Sequence, residues 1–260
     1  IRSIMIEILK VQEIVREAAK IFSNRNAAEQ IKQKGVFDYV TAIDEAVQEF
    51  IQKELSDLYP QIQFMGEEKD NSDIDMSGQV WVLDPVDGTT NLIHDYQNSA
   101  ISLALIDNSE IILGIIYNPF SDEMFYAEKD KGSFLNGKRI YVSDAEQMKD
   151  SLISVGTSPY FKEEAEQNFM RFASVFKECQ DIRRCGSASL DLANVACGRI
   201  DAYMENHLKI WDYAAGTLLV REANGEVYNY KGEKLFMELN GNIVAGNKNI
   251  DKILIEKYFK

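Results

Sequence analysis

Histidine and cysteine are scarce in this 260-residue chain: His94 and His207 on one hand, Cys179, Cys185 and Cys197 on the other. Two histidines argue against a His-based zinc centre. An odd count of thiols without paired spacing suggests reduced cysteines and a cytoplasmic setting. No run approaches the roughly 18 apolar residues of a membrane span. Glu7, Lys10, Glu13 and Arg16 interrupt the segment where a signal peptide would need an apolar stretch. Positive charge is short as well, with 28 Lys and Arg against 42 Asp and Glu and a formal net charge of −14. Such a surface repels nucleic-acid backbones and anionic membranes, so neither is expected as a partner. No glycine-rich phosphate loop with Lys is present, which removes kinase and nucleotidyl-transferase readings. Asp73-Ile74-Asp75 is a fragment of a calcium loop without the rest of it.

The hydrophobic share of 45% is enough to fill a core. One domain over residues 1–260 is expected, with two closely packed lobes meeting near residue 145. Residues 3–23 read as an amphipathic helix, with Ile4, Ile8, Val11, Val15 and Ala18 on one face. Residues 30–38 read as a polar loop, 41–59 as a second helix stopped by Pro60, and 62–65 as a short strand. Strands follow at 80–83, 100–106, 111–117, 123–127 and 132–135. Beyond residue 151 the pattern alternates: strands at 152–155, 182–184, 200–204 and 242–245, helices at 163–177, 188–197, 212–223 and 250–258. Alternation after a meander points to layers of helix and sheet packed as one unit.

The run Asp84-Pro85-Val86-Asp87-Gly88-Thr89-Thr90-Asn91 concentrates the chemistry. A buried strand delivers Asp84. Pro85 has no N–H and fixes the chain, so the turn can free the Val86 carbonyl. Asp87, three residues on, can aim at the same point as Asp84. Gly88 permits close approach, and Thr89 and Thr90 open a helix whose free N–H groups suit a phosphate. Two carboxylates, a carbonyl and an anion site are what a hard, oxygen-seeking cation and a phosphate require. Either Asp alone reads equally well as a helix cap. Glu67-Glu68 alone reads as a solvated acidic pair, Asp212 as an N-cap, and Asp44 as part of a solvated helix face.

Taken together, Gly66-Glu67-Glu68, Trp81-Val82-Leu83-Asp84-Pro85-Val86-Asp87-Gly88-Thr89-Thr90-Asn91 and Trp211-Asp212-Tyr213-Ala214-Ala215-Gly216 closely resemble the signatures of the inositol monophosphatase family, in order and spacing. The resemblance covers essentially the whole chain. It implies a five-layer αβαβα sandwich of mixed α/β type, usually a homodimer. It also implies Mg²⁺-dependent, Li⁺-sensitive hydrolysis of small phosphate monoesters by a metal-activated water.

Position by position, the resemblance makes Glu67, Asp84 and the Val86 carbonyl ligands of a first metal, and Asp84, Asp87 and Asp212 ligands of a second. Glu68 would serve a third, weaker Mg²⁺ or stand behind the ligands. Glu67 also belongs to the catalytic set with Thr89 and Asp44, the pair that orients and deprotonates the attacking water. Gly88 and Thr89 would hold the phosphate. Gly186, Ser187, Ala188, Glu205 and Asp212 would lie along the alcohol. Lys34 matches a lysine that approaches the phosphate, Lys209 faces either solvent or a second anionic group, and Arg183-Arg184 matches a dimer-contact segment. Carboxylates clustered without cations repel one another, so such a site is expected to be loose until metal binds.

Thr90 stands where branches acting on 3′-phosphoadenosine nucleotides or histidinol phosphate more often carry Lys, which favours the inositol-phosphate branch. Fructose bisphosphate and the 2′-phosphate of NADP are alternative substrates. A regulatory binding protein that retains the fold is the reading from another class.

Overall fold

The structure, a computed structural model, describes residues 6–35, 38–235 and 239–259. In chain order its elements are α1 (Ile8–Ala19), α2 (Arg25–Ala28), β1 (Ile31–Gly35), β2 (Asp38–Thr41), α3 (Ala42–Leu58), β3 (Gln63–Gly66), β4 (Gln79–Asp87), α4 (Thr89–Ile93), β5 (Ala100–Asp107), β6 (Glu110–Asn118), β7 (Glu123–Glu128), β8 (Gly132–Leu135), β9 (Lys138–Ile140), β10 (Leu152–Val155), α5 (Ala165–Phe176), β11 (Asp181–Arg183), α6 (Ala188–Ala196), β12 (Ala202–Lys209), α7 (Ile210–Glu222), β13 (Glu226–Tyr228), β14 (Asn240–Gly246) and α8 (Ile250–Tyr258).

The period-two pattern of β4 explains the first two layers. Trp81 and Leu83 point to one face, where they meet Val11 and Val15 of α1 and Ile43, Val47 and Ile51 of α3. Val80 and Val82 point to the other face and pack with α6 and α7. The sheet between runs in the order β3-β4-β5-β6-β7-β8-β9. Its β3–β4 pair is parallel and the remaining pairs are antiparallel.

Helix α7 is apolar nearly all round. Ile210, Tyr213, Ala214, Ala215, Leu218, Leu219 and Val220 are buried, as a helix between two sheets requires. Gly114 of β6 lets it approach closely: a Cβ there would stand 2.7 Å from the Ala215 carbonyl oxygen. On the other side of α6 and α7 lies the second sheet, ordered β11-β10-β12-β14-β13. Within it, β11, β10 and β12 are parallel. Phe172 and Val175 of α5 and Ile250 and Leu254 of α8 pack with Ile153, Ala202, Met204 and Val244. The sequence of layers is helix, sheet, helix, sheet, helix, the expected αβαβα sandwich.

Some expectations are corrected. Residues 30–38 are not a plain loop: Ile31↔Thr41, Lys32↔Val40 and Gln33↔Tyr39 pair antiparallel. All five β1 side chains are exposed, so the ladder is carried by backbone alone and leaves no hydrophobic alternation. Strand β4 runs on to Asp87 instead of ending at residue 83 or 84, and β12 runs on to Lys209. Strands β9 and β13 went unread. The first helix, expected from residue 3, is α1 followed by a 3₁₀ turn at Lys20–Ser23; residues 3–5 lie outside the described residues.

Candidate metal centre and cleft

The parallel pairing of β3 with β4 places Glu67 beside Asp84. Gly66 pairs with Leu83, and the Glu67 N–H donates to the Leu83 carbonyl at 3.1 Å. Asp84 pairs with Ser102 and Asp87 with Ala100, and the register breaks between them at Pro85-Val86. That irregularity lets two acids of one strand serve one cleft. The Val86 N–H donates to Asp84 Oδ1 at 2.9 Å and fixes the carboxyl. Ser102 then ties in the third segment, since its hydroxyl donates to the Trp211 carbonyl at 3.1 Å. Asp212 stands one residue on, held by the Lys209 N–H at 2.7 Å. Gly88 follows with φ +93°, where a Cβ would lie 3.1 Å from the carbonyl oxygens of Asn98 and Gly186.

Burial and crowding disfavour charge on all four acids. Glu67 is pushed up to about 7, first by burial and then by Glu68 and Asp44, with Lys34 opposing. Asp84 is raised well above the usual carboxylate range by burial, then by Glu67, Asp87 and Asp212. Asp212 is raised likewise by burial and then Asp87. Asp87 is raised by burial, against hydrogen bonds that favour its charge. Those bonds come from the start of α6. The Ser187 hydroxyl donates at 2.6 Å, the Ser189 N–H at 2.7 Å and the Ala188 N–H at 3.3 Å, and the Ser189 hydroxyl also donates.

Among the described residues, no three His, Cys, Asp or Glu side chains are drawn together tightly enough to hold an ion as they stand. The partners explain the spacing. Asp87 turns to Ser187 and Ser189, while Lys34 reaches Glu67 at 3.5 Å and also Glu68. The atoms these acids offer the cleft are all hard oxygens.

Thr89 and Asp44 meet although 45 residues separate them. The Thr89 hydroxyl lies 3.0 Å from Asp44 Oδ1 and 3.1 Å from the Val86 carbonyl, with one proton to offer the two acceptors. Asp44 is not a solvated helix residue. It is 1% exposed at the third position of α3, where its Oδ2 accepts from the Thr41 N–H at 2.9 Å and the Thr41 hydroxyl at 2.6 Å. Burial raises its pKa.

The wall facing these acids comes from the second sheet. Glu205 accepts from the Ser158 N–H at 2.9 Å and the Tyr203 hydroxyl at 2.5 Å. Asp191, buried on α6, accepts from the Ser154 hydroxyl at 2.7 Å and is pushed up to about 8, mainly by burial. Ser187 caps α6, its hydroxyl oxygen accepting from the Leu190 N–H. Ser189, Asp191 and Tyr203 were missed. Polar residues on the buried face of an otherwise apolar helix and strand were the available signal. His207 stacks on Phe161 at 3.8 Å between ring centres and pairs with Glu164 at the rim.

One cleft of about 580 Å³ gathers these segments. Glu67, Asp84, Val86, Asp87, Gly88, Thr89, Gly186, Ser187, Ala188, Glu205 and Asp212 line it, as do Lys34 and Lys209. Asp44 and Glu68 stand behind that lining. The five layers and the cleft together define a layered α/β fold with buried carboxylates gathered at the ends of β3 and β4.

Comparison with known proteins narrows the class. The model of the inositol monophosphatase family matches residues 3–259. The inositol monophosphatase of Dictyostelium discoideum is 39% identical over 256 residues, 94% of this chain and 93% of that protein. The Nus factor SuhB of Escherichia coli is 38% identical over 237 residues, 91% of this chain and 88% of its own length. Among solved structures, the extragenic suppressor protein suhB of Bartonella henselae superposes with a TM-score of 0.88 at 35% identity, covering 97% of this chain and 98% of that one. The chain belongs to the inositol monophosphatase family, phosphatases that are generally metal-dependent.

Proposed function

We propose that the chain is a Mg²⁺-dependent hydrolase of small phosphate monoesters. The observation that carries this reading is the convergence of Glu67, Asp84, Asp87 and Asp212 on one cleft beside the Thr89–Asp44 pair. The donors are carboxylates and a carbonyl, the chemistry Mg²⁺ selects over softer ions. Glu67, Asp84 and the Val86 carbonyl would hold a first ion, and Asp84, Asp87 and Asp212 a second. Glu68 would support a third. Bound Mg²⁺ supplies Lewis acidity, making a water more acidic and neutralising charge on the phosphate.

The protein's own groups do the rest. Thr89 orients the attacking water and passes a proton toward Asp44, whose other oxygen is fixed by Thr41. Glu67 borders the same water. Gly88 and Thr89 hold the phosphate, and Ser187, Ala188 and Glu205 line the alcohol. Water's oxygen bonds to phosphorus, the phosphorus–oxygen bond to the alcohol breaks, and the alkoxide takes a proton to leave as alcohol beside inorganic phosphate. Inositol 1-phosphate is the substrate the family suggests; fructose bisphosphate and NADP are the alternatives. A homodimer is the assembly that goes with this reading.

A regulatory binding role is the alternative, and the name Nus factor carried by the Escherichia coli relative supports it. The presence of every expected acid, each in or directly behind the cleft, favours turnover. A phosphate-release screen with and without Mg²⁺ tests the reading on inositol 1-phosphate, fructose 1,6-bisphosphate, NADP, 3′-phosphoadenosine 5′-phosphate and histidinol phosphate. Mg²⁺-dependent release from at least one of the first three is expected. Silence on the whole set overturns the proposal.

A further inference from the structure

Asp87 enters the cleft from the end of β4, and the donors that meet it from the start of α6 are divided unevenly between its two oxygens. The Ser187 hydroxyl at 2.6 Å, the Ser189 N–H at 2.7 Å and the Ser189 hydroxyl all fall on Oδ2. Oδ1 receives only the Ala188 N–H, at 3.3 Å. A carboxylate oxygen offers about two lone-pair sites, so Oδ2 is filled and Oδ1 is the oxygen with capacity left.

A rigid frame decides where the Ser189 hydroxyl points. The Cys185 carbonyl accepts from the Asn91 side-chain amide at 2.9 Å and from that of Asn98 at 3.2 Å, which holds the approach to α6 against the turn after β4. A helical serine commonly donates to the carbonyl four residues back, as Ser174 does to Met170 at 3.0 Å. For Ser189 that acceptor is the Cys185 carbonyl, already taken by the two asparagines. Ser189 is fully buried, and its hydroxyl turns to Asp87 instead. The Ser187 hydroxyl divides its work, since it also accepts from the Leu190 N–H as the helix cap. Among the described residues, the Ser189 hydroxyl has Asp87 as its one partner.

We propose that Ser189 is a positioning residue for Asp87: it keeps Oδ2 on α6 and so presents Oδ1 to the second cation. The inference rests on the reading of Asp87 as a Mg²⁺ ligand. It goes beyond that reading by giving a share of the ion's affinity to a residue that does not itself line the cleft. Removing a group that orients a metal ligand typically costs about 10–100-fold in affinity.

The test uses Mn²⁺, which takes the same oxygen ligands as Mg²⁺ and is counted by its electron paramagnetic resonance signal. EDTA-stripped wild type, S189A, D87N and D87N/S189A are titrated with Mn²⁺ without substrate. The sites that D87N weakens are those that use Asp87. In S189A the dissociation constant of those same sites is expected to rise about tenfold, and that of the others by less than about twofold. In the D87N background, removing the Ser189 hydroxyl should change nothing further, because it acts through Asp87. In turnover on the best substrate of the screen, S189A should need about tenfold more Mg²⁺ for half of its own maximal rate. Unchanged or tighter Mn²⁺ binding by S189A overturns the positioning role. So does an equal loss in the D87N background, the mark of a merely structural effect. Both results leave the phosphatase reading standing. If D87N binds Mn²⁺ as the wild type does, the assignment of Asp87 as a metal ligand falls, and the inference falls with it.

Discussion

Replacing Asp84 by Asn is expected to stabilise the metal-free protein while abolishing its response to Mg²⁺. Asp84 is 2% exposed, and Glu67, Asp87 and Asp212 all oppose its charge. Asn keeps the Oδ1 acceptor for the Val86 N–H and removes the charge. Burial and these three neighbours all penalise the ionised form of Asp84, each pKa unit so added costing about 1.4 kcal/mol, so removing the charge at neutral pH should raise the melting temperature of the metal-free protein by a few degrees.

The sign with pH is fixed by the direction of the shift. A carboxyl with a raised folded value binds more protons folded than unfolded, so metal-free stability falls as pH rises from about 4.5 to about 7. Surface acids held low, Asp122 by the Tyr117 hydroxyl and then Arg16, Glu123 by Arg199 and Asp181 by Arg183, act oppositely, but their window lies at and below the usual carboxylate range. Calorimetric melts in EDTA between about pH 5 and 8 should therefore decline with pH. Mg²⁺ should restore stability more at the upper end than the lower, by about 2.7 kcal/mol at a hundredfold excess over its dissociation constant. A D84N protein that melts several degrees lower than wild type in EDTA at neutral pH would refute the reasoning.

Three further outcomes are expected. Thr89→Ala, which removes the hydroxyl beside Asp44, should lower kcat about 100-fold, with Thr89→Ser recovering most of it in a steady-state assay. Lys34→Gln frees Glu67 and Glu68 from an ammonium that competes with metal, so the Mg²⁺ concentration giving half the thermal shift should fall a few-fold. Gly88→Ala forces a side chain into the left-handed region and should cost on the order of 1–2 kcal/mol by chemical denaturation.

Sequence reading succeeded where burial leaves a continuous apolar run or face. The runs of β4, β5 and β6, buried on both sides, were legible, and so was α8 to its last residue. It failed on β1, whose pairing is backbone-only, and on β9 and β13, which are three residues long. The candidate ligands within one segment, Asp84 and Asp87, could be paired by spacing. The Asp44–Thr89 pair and the link from Asp84 through Ser102 to Trp211 could not, because tertiary packing closes those distances. Resemblance to a family supplied that information. It carried no hint of Ser189 on Asp87.

The most direct measurement of the central claim is phosphate release by EDTA-stripped protein titrated with Mg²⁺, compared among wild type, Asp87→Asn and Asp212→Asn on the best substrate of the screen. Each acid is expected to be indispensable. The wild type should be silent without metal and active with it, and each variant should fall at least about 100-fold while keeping its native circular dichroism. Equal turnover in EDTA and Mg²⁺, or near-wild-type turnover in both folded variants, would contradict the account.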